Sequence, residues 1–189
     1  MESVANQLKA LQTTLETFQQ SLPLVTETGA KLAACLAGGG KIMTCGNGGS
    51  ACDAMHLSEE LVGRFDGNRR SLAAICLSAD ASLMTCIAND FGYDAVFARQ
   101  VEGLGRPGDV LVLFSTSGNS ANLVAALQQA KKNGVTTISI LGKTGGKCQG
   151  LADYEIIVPS HTTARIQEVH TFILHAWLTL IEHGLGMTS

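Results

Sequence analysis

Apolar residues near the N-terminus recur at spacings of three and four, which predicts a helix with one apolar stripe over residues 2–20. The stripe consists of Val4, Leu8, Leu11, Leu15 and Phe18. Pro23 is expected to end this helix, and a second helix is predicted over residues 24–36, before the glycines at 38–40. Both helices precede the first strand, so they have no crossover to make in a sheet. Their apolar stripe therefore packs either against a neighbouring subunit or against the domain's own sheet.

From residue 41 onward the pattern alternates between strands and helices. Continuous apolar runs rich in β-branched residues are typical of parallel strands covered on both faces, and they span residues 42–45, 72–77, 110–114, 137–141 and 156–158. Helices are predicted over residues 50–62, 81–88, 93–101, 120–132 and 162–183, and a glycine-rich connection spans residues 142–151. This order predicts an α/β fold, a doubly wound three-layer αβα sandwich around a five-stranded parallel sheet. We expect one domain over residues 1–189, with residues 1–37 as N-terminal helices and residues 41–189 as the core.

Composition narrows the classes of partner. The chain has a net charge of −3 and its 13 Lys and Arg residues are scattered, so no basic surface for nucleic acid is expected. No signal peptide and no apolar run of about 20 residues is apparent, which argues against a membrane protein and favours the cytoplasm. The six cysteines form no C-x-x-C pair and are expected to be reduced. A small molecule is therefore the expected partner.

Two loops that follow strands have the composition of phosphate sites. The first, residues 46–49, reads G-N-G-G and precedes Ser50, which stands in the position of a helix cap. Backbone N–H groups at such a helix N-terminus attract anions. The second loop offers four hydroxyls before the next helix, from Ser115, Thr116, Ser117 and Ser120. It is either a second phosphate contact or an ordinary capped turn.

Nucleotide-binding alternatives fit the loops less well. Residues 46–51 match a G-x-G-x-x-A dinucleotide pattern, but no carboxylate ends a strand about 20 residues later. Neither loop contains the G-K-[ST] of a nucleotide-triphosphate loop. A phosphate monoester such as a sugar phosphate suits the hydroxyl-rich loops better. Asn89 and Asp90, before Phe91 and Gly92, form either a plain turn or contacts to sugar hydroxyls.

Two predicted helices carry polar residues that could perform chemistry. On the helix after the first loop, Asp53, His56 and Glu60 lie opposite an apolar side, so they are expected to face away from the domain's own core. That side comprises Ala51, Ala54, Met55, Ser58, Leu61 and Val62. The last helix has a polar stripe of Gln167, Thr171 and His175 beside a broad apolar face.

The apolar face of the last helix includes Phe172 and, as a core or interface histidine, His170. Two imidazoles, a carboxylate and an amide oxygen could bind Zn²⁺ or another transition metal, and a Glu and a His could equally act as base and acid. An exposed His and Glu four residues apart can also be no more than a solvated pair.

Four motifs in this order resemble the phosphoheptose isomerases, which are sedoheptulose 7-phosphate isomerases built on a sugar isomerase (SIS) domain. The motifs are CGNGGSACDAMHLSEELVGRF, ANDFG, STSGNSAN and ARIQEVHxxxxH. The resemblance covers essentially the whole chain. It implies isomerisation of sedoheptulose 7-phosphate to D-glycero-D-manno-heptose 7-phosphate, in bacterial heptose biosynthesis for lipopolysaccharide or other surface glycans.

The resemblance also implies roles for individual residues. Glu60 and His175 would be the acid/base pair, and a divalent metal, with zinc the expected ion, would be bound by His56, Glu60, Gln167 and His175. The implied substrate contacts are Asn47, Gly48, Gly49, Glu60, Asn89, Asp90, Ser115, Thr116, Ser117, Ser120 and Gln167. Arg64 would add charge near the substrate. The resemblance also implies a tetramer, and because His56 and Glu60 are expected to face outward, we expect shared active sites completed by a neighbour's last helix.

One position departs from the family, and two other activities are compatible with the fold. Ala164 stands before Arg165 where many relatives carry an acidic residue, which removes a supporting contact but neither member of the proposed pair. The DnaA-binding initiator-associating proteins share the fold without catalysis, but they lack the equivalents of Glu60 and His175. An isomerase of another ketose phosphate would keep the same pair.

Overall fold

The computed structural model describes residues 3–187 of the chain. The helices are α1 (Val4–Phe18), α2 (Leu22–Ala37), α3 (Gly49–Val62), α4 (Ala81–Phe91), α5 (Val96–Leu104), α6 (Ala121–Lys132) and α7 (Thr163–Gly184). The strands are β1 (Ile42–Gly46), β2 (Ala74–Cys76), β3 (Val110–Ser115), β4 (Thr136–Gly142) and β5 (Tyr154–Val158). Short 3-10 turns lie at Gln19–Ser21, Tyr93–Ala95 and Gly146–Cys148.

All five strands are parallel and lie in the order β2-β1-β3-β4-β5, which confirms the predicted α/β sandwich. The chain runs from β1 outward to β2 and then returns to the other side of β1 for β3. Gly46 at the end of β1 pairs in register with Phe114 of β3, so the loops after both strands leave the sheet side by side. Such a reversal of strand order opens a crevice at the carboxyl edge of the sheet, where ligands of this architecture bind.

Helices cover both faces of the sheet. On one face α2, α3 and α7 bury a cluster centred on Trp177, whose indole N–H donates to the backbone carbonyl of Val25 at 3.0 Å. On the other face α4, α5 and α6 bury a second cluster that includes Phe97. The second N-terminal helix therefore packs against the chain's own α7. Across residues 3–187 no helix is both long and apolar enough to cross a membrane.

The first helix buries only the end of its predicted stripe. Phe18 is fully buried, whereas Val4, Leu8 and Leu15 are exposed. The prediction that Pro23 ends α1 was wrong. Pro23 lies in the first turn of α2, where backbone N–H groups have no partner within the helix, so its missing N–H costs no hydrogen bond. The first two helices thus follow each other through one 3-10 turn.

Three further local predictions were wrong. The cap of α3 is Gly48, so Ser50 lies inside the first turn and is buried. The second strand has three residues rather than six, because it is an edge strand that pairs only with β1. Helix α4 continues to Phe91, so Asn89 and Asp90 lie in its last turn and the chain turns only at Gly92, which has φ 84°.

Candidate active site

The loop between β1 and α3 leaves the start of α3 open. Gly48 caps the helix with φ 57°, a left-handed conformation that favours glycine, and it provides no side-chain hydrogen bond to the first turn. A Cβ at Gly46 would overlap the backbone of Ser50. The backbone N–H groups of Ser50 and Ala51 donate to the carbonyl oxygens of Asn47 and Gly48, at 3.1 and 3.0 Å. The start of α3 therefore has no capping side chain, and its positive helix end faces the carboxyl edge of the sheet. A helix N-terminus of this kind is a candidate phosphate site.

The hydroxyls of the loop between β3 and α6 have different roles. The Ser115 hydroxyl is buried and accepts a hydrogen bond from the backbone N–H of Gly118 at 3.0 Å. The Ser117 hydroxyl accepts from the N–H of Asn119 at 3.3 Å, whereas Ser120 caps α6 without a side-chain hydrogen bond. Two hydroxyls therefore shape the loop, and the start of α6, like that of α3, has no side-chain cap.

A pair of amides joins the two loops. The Asn47 and Asn122 side chains donate to each other, each at 3.0 Å, and the Tyr93 hydroxyl donates to the same Asn47 oxygen at 2.8 Å. Sequence reasoning did not single out Asn122 or Tyr93. The available signal was an asparagine in the first turn of a helix that follows a polar loop. The pairing uses the Asn47 oxygen and one N–H of its amide and fixes the conformation of the loop. The predicted contact of Asn47 with substrate stays a prediction.

Asn89 and Asp90 lie apart from these loops. Both are exposed at the end of α4, and within residues 3–187 their side chains bond only to each other, at 2.8 Å, and to the Cys86 thiol. Their predicted contact with a sugar stays a prediction. Arg64 is exposed just after α3, and its contact with substrate also stays a prediction.

The imidazole and carboxylate groups of α3 meet the polar stripe of α7 within one chain. The His56 and His175 rings stand edge to face, with centroids 4.9 Å apart and an interplanar angle of 84°. His56 Nε2 lies 3.5 Å from Glu60 Oε1. The chain's own α7 therefore carries His175 to this place, and the expectation that a neighbour's helix supplies it was wrong.

Gln167 lies at the other end of the same contact between α3 and α7. Its side-chain amide packs directly against Gly49, where a Cβ would overlap it. All four candidate ligand residues, His56, Glu60, Gln167 and His175, therefore lie along the line of contact between α3 and α7. We call this line of contact the seam; it runs from the start of α3 to its last turn.

The donors of the seam suit a divalent transition metal. Two ligand atoms held about 2.0–2.1 Å from one tetrahedral ion lie about 3.3–3.4 Å apart, close to the 3.5 Å between His56 Nε2 and Glu60 Oε1. The ligand atoms of His56, Glu59 and Glu60 all lie within 4.8 Å of one another, which adds an exposed carboxylate that sequence reasoning missed. His175 lies beside His56 but outside this group, so the residues that fit such an ion as they stand are one imidazole and two carboxylates.

Asp53 was expected to face away from the core beside His56, and this was wrong. Its carboxylate is buried between α3 and α7, where Oδ1 accepts a hydrogen bond from the Thr171 hydroxyl at 3.1 Å. Burial raises the pKa of Asp53, against the opposing effects of Thr171 and His56. Oδ2 lies 4.0 Å from Nδ1 of His170, and neither atom has a hydrogen-bond partner in the described part of the chain.

His170 is a core residue, as the apolar face of α7 predicted. It is fully buried, its Nε2 lies 3.4 Å from the backbone oxygen of Leu141, and burial lowers its pKa to about 4. Phe172 on the same predicted face is exposed instead. On α3, Met55 and Val62 are also exposed, because the inward face is formed by Ala54, Leu57 and Leu61.

Comparison with known proteins shows the family of the chain. The sequence model of the SIS domain family matches residues 6–142, which places the chain among the SIS-domain proteins. The phosphoheptose isomerase of Tolumonas auensis is 44% identical over 190 residues, covering 98% of each chain. That of Nitratiruptor is 56% identical over 144 residues, 76% of this chain and 77% of the relative. The chain belongs to the phosphoheptose isomerase family.

Solved structures similar to this chain include a member of the same family and a protein that shares only the fold. The phosphoheptose isomerase of Neisseria gonorrhoeae superposes with a TM-score of 0.90 at 38% identity, over 95% of this chain and 97% of that one. A Methanococcus jannaschii protein, for which a 3-hexulose-6-phosphate isomerase function was inferred, reaches a TM-score of 0.67 at 14% identity over 96% and 92% of the two chains. The second likeness shows the fold alone.

Proposed function

We propose that the chain converts sedoheptulose 7-phosphate to D-glycero-D-manno-heptose 7-phosphate in heptose biosynthesis. By its family it is a sugar-phosphate isomerase. The observation that carries the proposal is the seam, in which Glu60 and His175 lie on facing helices beside two open helix N-termini. The presence of both residues beside His56 supports catalysis over a non-catalytic SIS binding protein, whose surface would need no acid and base.

The proposed mechanism uses the two ends of α3. The open starts of α3 and α6 bind the phosphate on C7, and the sugar extends along α3 towards Glu60 and His175. One member of this pair removes a proton from C1 of the ketose while the carbonyl oxygen on C2 gains a proton, which gives an enediol. A proton is then returned to C2 while the hydroxyl on C1 loses its proton, which gives the aldose. No electron acceptor or co-reactant is needed, because the proton shift converts one isomer into the other.

A divalent metal, with zinc the expected ion, is part of the proposal. His56, Glu60, Gln167 and His175 would hold it, with Glu59 in reach of the first two. When bound, it supplies positive charge close to the oxygens that become negative during the reaction. Gln167, packed against Gly49, ties this end of the site to the phosphate loop.

The cellular setting follows from the same proposal. The product would serve lipopolysaccharide or another surface glycan, and the enzyme would act in the cytoplasm as a homotetramer. All six cysteines are free thiols, which supports a reducing compartment. The exposed apolar residues of α1 support association with further copies of the chain.

Turnover measured by NMR tests the isomerase proposal. Protein supplied with zinc is expected to convert sedoheptulose 7-phosphate to the aldose, and Glu60→Gln and His175→Gln should each lower kcat by about 10²–10⁴-fold. Glu102→Gln and His183→Gln, at exposed positions on α5 and α7, are matched controls that should keep full activity. Wild-type protein that converts no substrate would refute the proposal, and full activity of either seam variant would remove that residue from the mechanism.

Metal analysis tests the ligand set separately from turnover. Protein purified without chelator is expected to contain one metal ion per chain, and His56→Ala should weaken zinc binding by about 10²-fold or more. Glu102→Gln should bind zinc like the wild type. If the protein takes up no zinc in a titration, His56, Glu60, Gln167 and His175 are not metal ligands, and their remaining proposed roles are acid, base and substrate contact.

A further inference from the structure

A buried ion pair fastens the end of α3 to α7, outside the residues assigned to the site. Arg69, in the segment between α3 and β2, donates through Nε to Glu182 Oε1 on α7 at 2.5 Å. The Arg69 side chain is 2% exposed and the Glu182 side chain is 3% exposed. Leaving one of two such charges buried without the other is strongly destabilising. The pair therefore fixes the segment to α7.

The same guanidinium binds the backbone of the residue proposed for proton transfer. Arg69 Nη2 donates to the backbone carbonyl of Glu60 at 2.7 Å, and Nη1 donates to that of Leu61 at 3.0 Å. These carbonyls belong to the last turn of α3, where no further helical turn supplies N–H partners. The backbone N–H of Leu72 also donates to the Leu61 carbonyl, at 3.0 Å. Arg69 is thus the side-chain partner of the Glu60 carbonyl, shares that of Leu61, and bonds to α7.

Both partners of the proposed acid/base pair are connected to this group. Glu182 lies two helical turns after His175 on α7. The segment held by Arg69 also contains Phe65, whose ring stacks on the His175 imidazole with centroids 5.8 Å apart and an interplanar angle of 23°. A displacement of Arg69 would move Glu60 through its backbone and His175 through Phe65.

We propose that Arg69 is a positioning residue that sets the separation of Glu60 and His175. This inference rests on the proposed roles of those two residues in the isomerisation. The planar guanidinium is needed because it bonds in two directions at once, towards Glu182 and towards the α3 carbonyls. A lysine would keep the charge facing Glu182 but could not hold the same set of bonds.

The position of the pair predicts which kinetic constant changes. The phosphate loops lie at the start of α3, whereas Arg69 acts on its last turn. Loss of the guanidinium should therefore leave substrate binding intact and misplace the acid and base. Misplacement by about 1 Å is enough to slow a reaction by about 10²-fold.

The test compares Arg69→Met and Arg69→Lys with a variant of a second ion pair. Lys41 pairs with Asp109 at the opposite, amino edge of the sheet, so Asp109→Asn removes a buried charge partner without touching the seam. Below the melting temperature of each variant, both Arg69 variants are expected to lower kcat by about tenfold or more with KM within about twofold. Asp109→Asn should lose stability and keep kcat. If Arg69→Met does not fold, the kinetic test is made with Arg69→Lys alone, because that variant keeps a positive charge beside Glu182.

Two readouts that need no turnover accompany the kinetics. In metal-free protein, the Arg69 variants should shift the imidazole resonances of His175 and accelerate hydrogen exchange at Gly63, whose N–H bonds to the Glu59 carbonyl. Wild-type kcat in either folded Arg69 variant would overturn the inference, as would a kcat loss matched by Asp109→Asn. If the wild type itself does not isomerise the substrate, the proposed function fails. The positioning role of Arg69 is tested separately, because unchanged His175 resonances in the Arg69 variants would refute it whether or not the protein turns over substrate.

Discussion

At the scale of single residues, Gly49 shows how the absence of a side chain makes a site. A Cβ at this position would overlap the amide of Gln167, which reaches it from α7. The glycine therefore serves two purposes, since the backbone it exposes can approach an anion and the space it leaves accepts Gln167.

Gly49→Ala tests the contact with Gln167. The added methyl should displace the amide, lowering kcat/KM about tenfold and weakening zinc binding, because a one-ångström shift of a ligand is costly. Gly103→Ala on α5 is the matched control, since nothing lies within 4 Å of its Cβ. It should leave kinetics unchanged and stabilise the helix by at most about 1 kcal/mol. Wild-type kinetics and zinc affinity in Gly49→Ala would contradict this role.

His170 should make stability depend on pH. Burial lowers its pKa from 6.5 to about 4, so between these values the unfolded chain holds a proton that the folded chain does not. The contribution is complete above pH 6.5 and is lost as the pH falls towards 4, by about 3 kcal/mol in total. Urea unfolding of metal-free protein between pH 4 and 7.5 measures this, and His170→Gln should flatten the curve.

Asp53 faces His170 and acts in the opposite direction. Its pKa is raised by burial, so its contribution is lost as the pH rises through its folded pKa. Asp53→Asn in the same series separates the two groups and should steepen the pH dependence. Equal slopes for wild type and His170→Gln would show that His170 does not titrate as its burial requires.

At the scale of elements, the site is made by helices that begin at the same edge of the sheet. The starts of α3 and α6 are held together by the amide pair of Asn47 and Asn122. This pair fixes how the two helix ends lie relative to each other, and in the proposed mechanism both ends bind the same phosphate.

Asn122→Ala should therefore change substrate binding. Loss of both amide hydrogen bonds frees the β1–α3 loop, and we expect KM to rise about tenfold with a stability loss of about 1–3 kcal/mol. Asn133→Ala at the far end of α6 is the control, because its amide bonds to Val101, Glu102 and Gly105 away from the ligand edge. It should lower stability to a similar degree and leave KM unchanged. An unchanged KM in Asn122→Ala would refute the coupling.

The elements were predictable from the sequence, but the orientation of α3 was not. The apolar runs indicated every strand, and the glycine and hydroxyl loops indicated the ligand edge. Helix α3, however, packs against the sheet and also against α7, so it has two buried sides, and a single apolar face describes only one. Asp53 was therefore misplaced, and Met55 was assigned to a core that it does not enter. Contacts such as Gly49 with Gln167 join distant parts of the chain and leave no local pattern.

At the scale of the whole molecule, the fold supplies the seam from one chain. The parallel sheet places α3 and α7 on the same face, where His56 and His175 come into contact without a second copy. The proposed tetramer is therefore not needed to bring together the two helices that carry Glu60 and His175, the proposed acid/base pair. Its role would be to cover the apolar surface of α1 and to bring Asn89 and Asp90, exposed at the end of α4, towards a site.

The mass of the protein in solution tests this assembly. Light scattering after size exclusion is expected to give four times the chain mass of 19.8 kDa. Val4 and Leu8 on α1 are 82% and 57% exposed, and Leu8→Glu would bury a charge wherever α1 packs against another copy, so it should shift the mass downward. Leu151→Glu, at a partly exposed position before β5, should leave the mass unchanged. A wild type that is monomeric and fully active would show that one chain is sufficient. Alternatively, Leu8→Glu could form a smaller assembly that keeps its zinc affinity but loses substrate affinity. That result would show that a second chain contributes contacts to the sugar, whereas one chain is sufficient to bind the metal.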